Sequence, residues 1–293
     1  MTRTAPTLAA LALIMPATAL GIEATGHDAI TTPGRPVEVR AKFERKLFGY
    51  MRPDVKRAAA TIDVLGGRHA AVTDREGLAR ATVTPGAVGV FPITARLDRR
   101  GDRVATSRLF VFDPARPVAV VDIDGTLSDL PDWKVPFVGH RAPTFEGAPA
   151  VMAELARRFQ IVYLTARDDV FDAGTRRFLA LHGFPDGPVL YNDLGLGTRE
   201  ERAQLVPGNH GAFKLAVIEG LRARGVNVTI GVGNAETDAF AYERAGLPSY
   251  ILTTKPGAGP SFRFTRYADL RPRLVADGWL VDTKGLAGAL AGK

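Results

Sequence analysis

The segment Val118–Ile123 constrains the fold more than any other part of the sequence. Apart from Asp122 it is apolar and rich in β-branched residues, as expected for a strand buried on both faces. Downstream of it, four further strand-like segments alternate with four helix-like segments. This alternation predicts an α/β fold, with a Rossmann-like parallel sheet covered by helices. Ligands of such sheets bind beyond the carboxyl ends of the strands, so the residues after each strand are the candidate site.

The predicted elements of this region are short and regularly spaced. The later strands are Ile161–Leu164, Val189–Tyr191, Val228–Val232 and Ser249–Leu252. The helices are Gly147–Arg158, Asp169–His182, Phe213–Arg224 and Ala235–Ala245. No function is assigned to the tail 267–293, whose pattern is mixed helix and loop.

Residues 30–115 have a different pattern, in which apolar and polar residues alternate with period two. Val37–Glu44 is the clearest case, and turn signals such as Gly66-Gly67 separate it from similar segments. Short alternating strands with regular turns predict an all-β sandwich. The segment Thr73–Gly77 loosely resembles bacterial immunoglobulin-like domains. We therefore predict an immunoglobulin-like sandwich over 30–115, a proline-containing linker, and an α/β domain over 117–293.

The first nineteen residues have the features of a secretory signal peptide. Arg3 provides the positive charge, Leu8–Met15 is an uncharged and mostly apolar run, and Ala17-Thr18-Ala19 is a small-x-small cleavage site. The alternative is a buried N-terminal helix. The sequence thus predicts an exported protein, periplasmic or secreted, in which residues 1–19 are removed.

Composition excludes several classes of site. The chain has no cysteine, which rules out disulfides, zinc–thiolate sites, iron–sulfur clusters and cysteine nucleophiles. Its net charge of +7 favours anionic partners. The basic residues are scattered and no basic–aromatic recognition motif is present, so we expect no nucleic-acid binding.

Two carboxylates follow the first strand of the α/β region. Asp122 and Asp124 are two residues apart, so their side chains point the same way, and a divalent cation beside them would relieve their repulsion. An ionised aspartate can attack phosphorus, and a second can protonate the leaving alkoxide and then activate water. Gly125 and Thr126 complete the turn. The alternative is a pair of turn acids without chemistry.

Further polar residues follow the other elements in order. Thr165, Ala166 and Arg167 come after the second strand, where a hydroxyl and a backbone N–H can hold phosphate oxygens; the alternative is a helix cap. Lys214 lies near a helix start and could neutralise a transferring phosphoryl group, or be a solvated surface charge. Asn234 and Asp238, one turn apart, offer oxygen to a hard cation such as Mg²⁺. The alternative to metal binding is that Asn234 and Asp238 cap the helix.

This ordered set resembles the four motifs of the haloacid-dehalogenase phosphohydrolase superfamily. The resemblance implies a Mg²⁺-dependent phosphatase in which Asp122 is the nucleophile and Asp124 the general acid and base. It also implies that Asp122, Asp124 through its backbone carbonyl, and the Asn234–Asp238 segment hold the metal. The implied phosphate-binding residues are Gly125, Thr126, Thr165, Ala166, Arg167 and Lys214.

A narrower resemblance is to the catalytic domain of lipins, the phosphatidate phosphatases. It rests on motifs between residues 117 and 260, among them Asp122–Thr126, Tyr163–Arg167 and Gly233–Tyr242. A related domain of phosphatidylinositol transfer proteins binds phosphatidate but lacks the catalytic aspartate. This chain keeps Asp122 and Asp124, which favours catalysis. The resemblance implies hydrolysis of phosphatidate to diacylglycerol and phosphate.

Access to the predicted site bears on substrate size. Segments 125–164 and 166–213 are largely filled by predicted helix and strand, so neither holds a large cap domain. An uncapped site accepts a phosphate on a membrane or a macromolecule. In the loop 129–143, Trp133, Phe137, Lys134 and Arg141 suit a peripheral contact with a lipid surface; the alternative is that the aromatic residues pack under the loop. Soluble phosphomonoesters, phosphoproteins, or phosphatidate binding without catalysis remain alternatives.

Overall fold

The computed structural model describes residues 21–46, 52–98, 103–130, 139–192, 209–257 and 259–282. The predicted signal peptide therefore lies outside the described residues, as do Trp133, Lys134 and Phe137. Both the leader and the lipid contact of those side chains stay predictions. Within the described residues, no helix is long and apolar enough to cross a membrane.

The N-terminal part consists of two β-sheets. Its strands are β1 (Ile22–His27), β2 (Ala29–Thr31), β3 (Val37–Arg45), β4 (Ala59–Val64), β5 (Gly67–Val72), β6 (Leu78–Val83), β7 (Gly89–Leu97) and β8 (Val104–Val111). One sheet has the order β1-β3-β6 and the other β2-β8-β7-β4-β5. Neighbouring strands are antiparallel, except that β2 runs parallel to β8. The first strand begins before residue 30, where the alternating pattern placed the start.

The two sheets share one hydrophobic core. Val39 and Phe43 of the smaller sheet, and Ile62 and Leu109 of the larger one, are fully buried in a single cluster. They come from the apolar positions of the alternating segments, so period two correctly identified the inward faces. The immunoglobulin-like classification of this part stays a prediction.

The C-terminal part contains the predicted parallel sheet, which confirms the α/β class. Its strands are β9 (Val118–Val121), β10 (Gln160–Leu164), β11 (Val189–Leu190), β12 (Val228–Gly233), β13 (Ser249–Leu252) and β14 (Phe262–Phe264). They are all parallel, in the order β11-β10-β9-β12-β13-β14. The order reverses between β9 and β12, which is the point where such sheets bind ligands. The edge strand β14 was not predicted.

Among the residues that the structure describes, five α-helices cover this sheet and its edge. They are α1 (Ala148–Ala156), α2 (Asp172–Leu181), α3 (Asn209–Ala223), α4 (Glu236–Arg244) and α5 (Tyr267–Ala276). The predicted helix Asp169–His182 is divided into a 3₁₀ turn, Asp169–Phe171, and α2. The side chain of Asp168 starts this turn by accepting a hydrogen bond from the Val170 N–H at 2.9 Å.

Strand β9 is buried on both faces, as the sequence predicted. Ala119 and Val121 belong to one hydrophobic cluster, and Val118 and Val120 belong to another on the opposite face. The second cluster also includes Ile30, Phe110 and Phe112 of the N-terminal part, which thus packs directly against the parallel sheet. These three side chains, from β2, β8 and the residue after β8, join the two parts along this face.

Truncation of Phe110 tests this shared core. Phe110 is 3% exposed, so Phe110→Ala should lower the free energy of unfolding by about 3–5 kcal/mol. Val104 lies on the same strand but is 50% exposed, and Val104→Ala should change it by less than about 0.5 kcal/mol. Urea unfolding of the two variants measures the difference. Equal midpoints would show that the cluster contributes little.

Candidate active site

Asp122 lies at the reversal point of the sheet, directly after β9. Its backbone N–H donates to the carbonyl of Val232 at 2.9 Å, which extends the β9–β12 pairing by one residue. The carboxylate is buried, and each of its oxygens has a partner. Oδ1 accepts from Lys214 Nζ at 2.7 Å, and Oδ2 accepts from the Thr126 hydroxyl at 3.0 Å. The strand end thus presents a fixed, desolvated carboxylate.

Lys214 connects two buried carboxylates. It lies on α3, is 3% exposed, and donates to both Asp122 and Asp238. It is therefore not a solvated surface charge. Burial lowers the pKa of Lys214, but the two carboxylates raise it more, so the net pKa lies above the ordinary value and the ammonium keeps its charge.

The charges of this cluster do not balance. Burial raises the pKa of Asp122, to about 7; Lys214 opposes this shift, while the carboxylates of Asp238 and Asp124 add to it. One ammonium between the carboxylates of Asp122 and Asp238 leaves one net negative charge in a desolvated position. A site with this excess attracts a cation or a proton.

Asn234 and Asp238 have different roles. Asp238 is fully buried, and its Oδ2 accepts from the backbone N–H groups of Asn234 and Ala235, both at 3.0 Å. Its Oδ1 is bound to Lys214, so both oxygens are used. The N-cap of α4 is Ala235, so Asn234 is not the cap. The half-buried Asn234 amide instead places Oδ1 3.3 Å from the Thr126 hydroxyl, beside Asp122.

Gly125 is required by the backbone of this turn. Its φ is +67°, in the left-handed region, and a Cβ at this position would collide with the Asn234 amide. Glycine therefore allows the loop after β9 and the loop after β12 to meet. This meeting brings Asn234 next to Thr126 and Asp122.

Asp124 is held by residues of the loop after β10. Arg167 donates to it through Nε at 2.7 Å and Nη2 at 2.5 Å, in a bidentate pair. The Thr165 hydroxyl lies 3.1 Å from Asp124 Oδ2 and also accepts from the Arg167 N–H at 3.1 Å. Thr165 is thus not a helix cap, because Asp168 has that role. The fold thus places Asp124 and Thr165, two of the predicted site residues, in direct contact.

Arg167, predicted as a substrate ligand, makes its contacts within the protein. The residue is 9% exposed, and its guanidinium donates to Asp124 and, from Nη1 at 2.9 Å, to the hydroxyl of Thr175. Ala166 is half-buried in the same loop. The contact of Arg167 with a phosphate stays a prediction.

The predicted metal ligands do not form a carboxylate cluster. Among the described residues, no group of three or more His, Cys, Asp or Glu side chains is arranged to hold a metal ion. The Asp124 carboxylate is used by Arg167, and that of Asp238 by Lys214 and two amides. The arrangement fits a hard cation at Asp122 and Asn234, where a carboxylate oxygen and an amide oxygen flank one hydroxyl and the net charge is negative.

Sequence reasoning missed two supporting side chains. Tyr267, the first residue of α5, donates from its buried hydroxyl to the Thr126 carbonyl at 2.8 Å. The tail, to which no role was given, thus supports the catalytic turn. The helical spacing of Leu270 and Leu274, both fully buried, was a signal that this segment packs on the core. No sequence pattern indicated a role for Thr175, because only the folded structure brings its hydroxyl next to Arg167.

The part of the chain that matches a known protein family contains the strands around this site. Residues 119–252 match the model of the LNS2 domain of PITM 1-3. The predicted resemblance to the lipin-type domain is confirmed. The matched segment runs from β9 to the end of β13 and contains Asp122, Asp124, Thr165, Lys214 and Asn234.

Similar proteins share this region but are much longer. The chain is 28% identical over 177 residues to phosphatidic acid phosphohydrolase 1 of Saccharomyces cerevisiae, which covers 53% of this chain and 20% of that protein. It is 29% identical over 152 residues to phosphatidate phosphatase PAH1 of Arabidopsis thaliana, covering 47% and 17%. The chain thus spans about a fifth of the length of these relatives.

Among solved structures, the chain is similar to a D,D-heptose 1.7-bisphosphate phosphatase from B. bronchiseptica, complexed with magnesium and phosphate. It is 14% identical, with a TM-score of 0.40, and the match covers 55% of this chain and 99% of that one.

Replacement of Lys214 tests the charge balance. Lys214→Met leaves two buried carboxylates without their ammonium and should lower the free energy of unfolding at pH 7.5 by about 3–5 kcal/mol. Without the ammonium, the pKa of Asp122 rises further above its unfolded value, so the folded state binds more protons and the loss shrinks as the pH falls to 5.5. Urea unfolding at both pH values measures this.

The control is Lys46→Met, which removes a lysine that pairs with Glu23 at 3.1 Å but is 54% exposed. It should change the free energy of unfolding by less than about 1 kcal/mol. A Lys214→Met variant whose deficit did not depend on pH would contradict the proposed charge imbalance.

Proposed function

We propose that this protein is a Mg²⁺-dependent phosphatase that forms an aspartyl-phosphate on Asp122, and that its substrate is phosphatidate. The observation that supports this best is the pairing of a buried carboxylate at the sheet reversal with a second, separately held carboxylate two residues later. One can act as nucleophile while the other transfers protons. Lys214 beside Asp122 supplies fixed positive charge where a phosphoryl group would arrive.

The first step consumes the phosphate ester. An oxygen of Asp122 attacks phosphorus, the bond from phosphorus to the ester oxygen breaks, and a proton from Asp124 goes to the departing alkoxide. In the second step Asp124 takes a proton from water, whose oxygen attacks phosphorus. The bond between phosphorus and Asp122 then breaks, releasing phosphate and restoring the ionised Asp122 and the protonated Asp124.

Arg167 and Thr165 keep Asp124 in place during these transfers. Three hydrogen bonds from these two side chains fix the carboxylate. A general acid must be within hydrogen-bond reach of the leaving oxygen, so a fixed carboxylate reduces the cost of reaching that geometry.

A magnesium ion would be held by Asp122, Asn234 and the backbone carbonyl of Asp124. It would supply positive charge that favours the ionised form of Asp122 and offsets the charge of the phosphate. Of Asn234 and Asp238, we propose Asn234 as the direct ligand. Its amide lies beside Thr126 and Asp122, whereas the Asp238 carboxylate accepts from Lys214 and from two backbone N–H groups at the start of α4.

Three observations support a lipid phosphate as substrate. The relatives that match this region carry the names of phosphatidate phosphatases. The described residues after β9 and β10 are short secondary-structure elements rather than a cap domain. The net charge of +7 favours an anionic surface. We propose that the exported protein acts at the surface of a membrane in the periplasm or outside the cell.

The first test is phosphate release. The protein should release phosphate from phosphatidate in mixed micelles with Mg²⁺, and release should stop with EDTA or with Asp122→Asn. Asp124→Asn should lower turnover by about 10²–10⁴-fold. The matched control is Asp129→Asn, an exposed acid five residues beyond Asp124, which should retain full activity.

The same assay with soluble phosphomonoesters separates the alternatives. Turnover of soluble esters alone would keep the chemistry and reject the lipid substrate. Binding of phosphatidate vesicles without release of phosphate from any ester would reject the phosphatase and leave a phosphatidate-binding module.

A second test concerns the metal ligands. Asn234→Ala should weaken Mg²⁺ binding by at least about tenfold, as measured by calorimetry. Asn227→Ala is the control, since Asn227 is exposed at the opposite end of β12. Unchanged Mg²⁺ affinity in Asn234→Ala would remove Asn234 from the metal site.

A further inference from the structure

We infer that Asp28 and His27, from the N-terminal β-sheets, are positioning residues for the catalytic acid Asp124. This inference rests on the proposed function, in which Asp124 is the general acid. It goes beyond that function by giving the N-terminal part a role in catalysis. Asp28 acts through Arg176, Thr175 and Arg167.

Asp28 is a charged anchor in the catalytic part of the molecule. It lies between β1 and β2, and its side chain is completely buried. Oδ2 accepts from Arg176 Nη1 at 2.8 Å and from the Val189 N–H at 3.1 Å, while Oδ1 accepts from the Arg108 N–H at 3.0 Å. One carboxylate from the β-sheets therefore holds helix α2, strand β11 and strand β8 together.

The contact with α2 leads directly to the catalytic acid. Arg176 follows Thr175, whose hydroxyl accepts from Arg167 Nη1 at 2.9 Å. Arg167 in turn binds both oxygens of Asp124. Fixing Arg176 fixes the turn of α2 that carries Thr175, and hence the plane in which the guanidinium meets Asp124.

The contact with β11 reaches the same loop from its other side. Val189 pairs with Tyr163 of β10, and the next residue, Leu190, accepts from the Thr165 N–H at 3.0 Å. Asn192 then donates its N–H to the Arg167 carbonyl at 3.1 Å. Asp28 thus supports both the strand beside the loop and the helix behind it.

His27 holds the end of this loop. Its Nε2 lies 2.8 Å from Asp169 Oδ2, and both side chains are buried. Although burial raises the pKa of Asp169, the hydrogen bond and charge of His27 lower it more, to about 2, so this carboxylate stays ionised. Asp169 is two residues from Arg167, so the loop that carries Arg167 is tied to the β-sheets next to the guanidinium.

The test uses the dependence of the reaction on its leaving group. Loss of a correctly placed acid slows the release of a poorly leaving alkoxide much more than that of a nitrophenolate, which leaves without a proton. For Asp28→Asn we expect kcat/KM to fall about tenfold or more for phosphatidate, or for the alkyl monoester hydrolysed fastest, and less than about twofold for 4-nitrophenyl phosphate. A general loss of folded protein would lower both equally.

The matched control is Asp186→Asn. Asp186 also joins the two parts, through Arg108 at 2.7 Å, but it is 70% exposed, whereas the Asp28 side chain is completely buried. Both kcat/KM values should be unchanged. Equal behaviour of Asp28→Asn and Asp186→Asn would overturn the inference.

A second pair of variants decides the question if Asp28→Asn does not fold. Thr175→Val keeps the shape of the side chain but cannot accept from Arg167, and should reproduce the selective loss for alkyl esters. Thr175→Ser keeps the hydroxyl and should retain the activity toward alkyl esters. Identical leaving-group dependence in these two variants would also overturn the inference.

A readout without turnover separates this inference from the proposed function. The Arg167 Nε–H, assigned in a proton–nitrogen spectrum by its absence in Arg167→Lys, should exchange slowly with solvent in the unaltered protein and in Asp186→Asn. Its exchange should be at least about tenfold faster in Asp28→Asn or Thr175→Val. Unaltered protein that hydrolyses no phosphate ester would reject the phosphatase, and this exchange rate would still decide whether Asp28 positions Arg167.

Discussion

The candidate site depends on the two ion pairs that the ammonium of Lys214 makes with Asp122 and Asp238. Asp122 and Asp238 come from different strand ends, and without a cation between them two buried carboxylates would repel each other. Their attachment to one lysine brings α3 against the reversal point of the sheet. The same contact leaves one negative charge in excess, which is the charge that a cation would offset in the proposed reaction. Packing and chemistry are therefore determined by the same three side chains.

The reactive groups could be predicted from the sequence because they are local to strand ends. Asp122, Asp124, Thr165 and Asn234 each follow a strand, and parallel strands bring such positions to one edge. The sequence could not show which partners a long side chain contacts. An arginine at position 167 has the donors to bind a phosphate, but in the structure these N–H groups donate to Asp124 and to the Thr175 hydroxyl.

The fold was predictable to a similar degree and for similar reasons. The period-two pattern and the apolar run at Val118 identified the two kinds of sheet, since both signals lie within one strand. Strand β14 was missed because it has three residues at an edge, where the apolar signal is short. Strand β1 was missed because its burial does not alternate, although its partner β3 is close in the chain. Strand β2 was missed because it has three residues and pairs with the distant β8.

The separation in sequence between Asp28 and its partners has a consequence for folding. The contacts of His27 and Asp28 with Asp169, Arg176 and Val189 span 142, 148 and 161 residues. Closing such long loops is entropically costly, so contacts of this kind form late. A chain emerging from its N-terminus presents Asp28 long before Val189 exists. We therefore expect the geometry of the candidate site to be completed only after both halves have been synthesised.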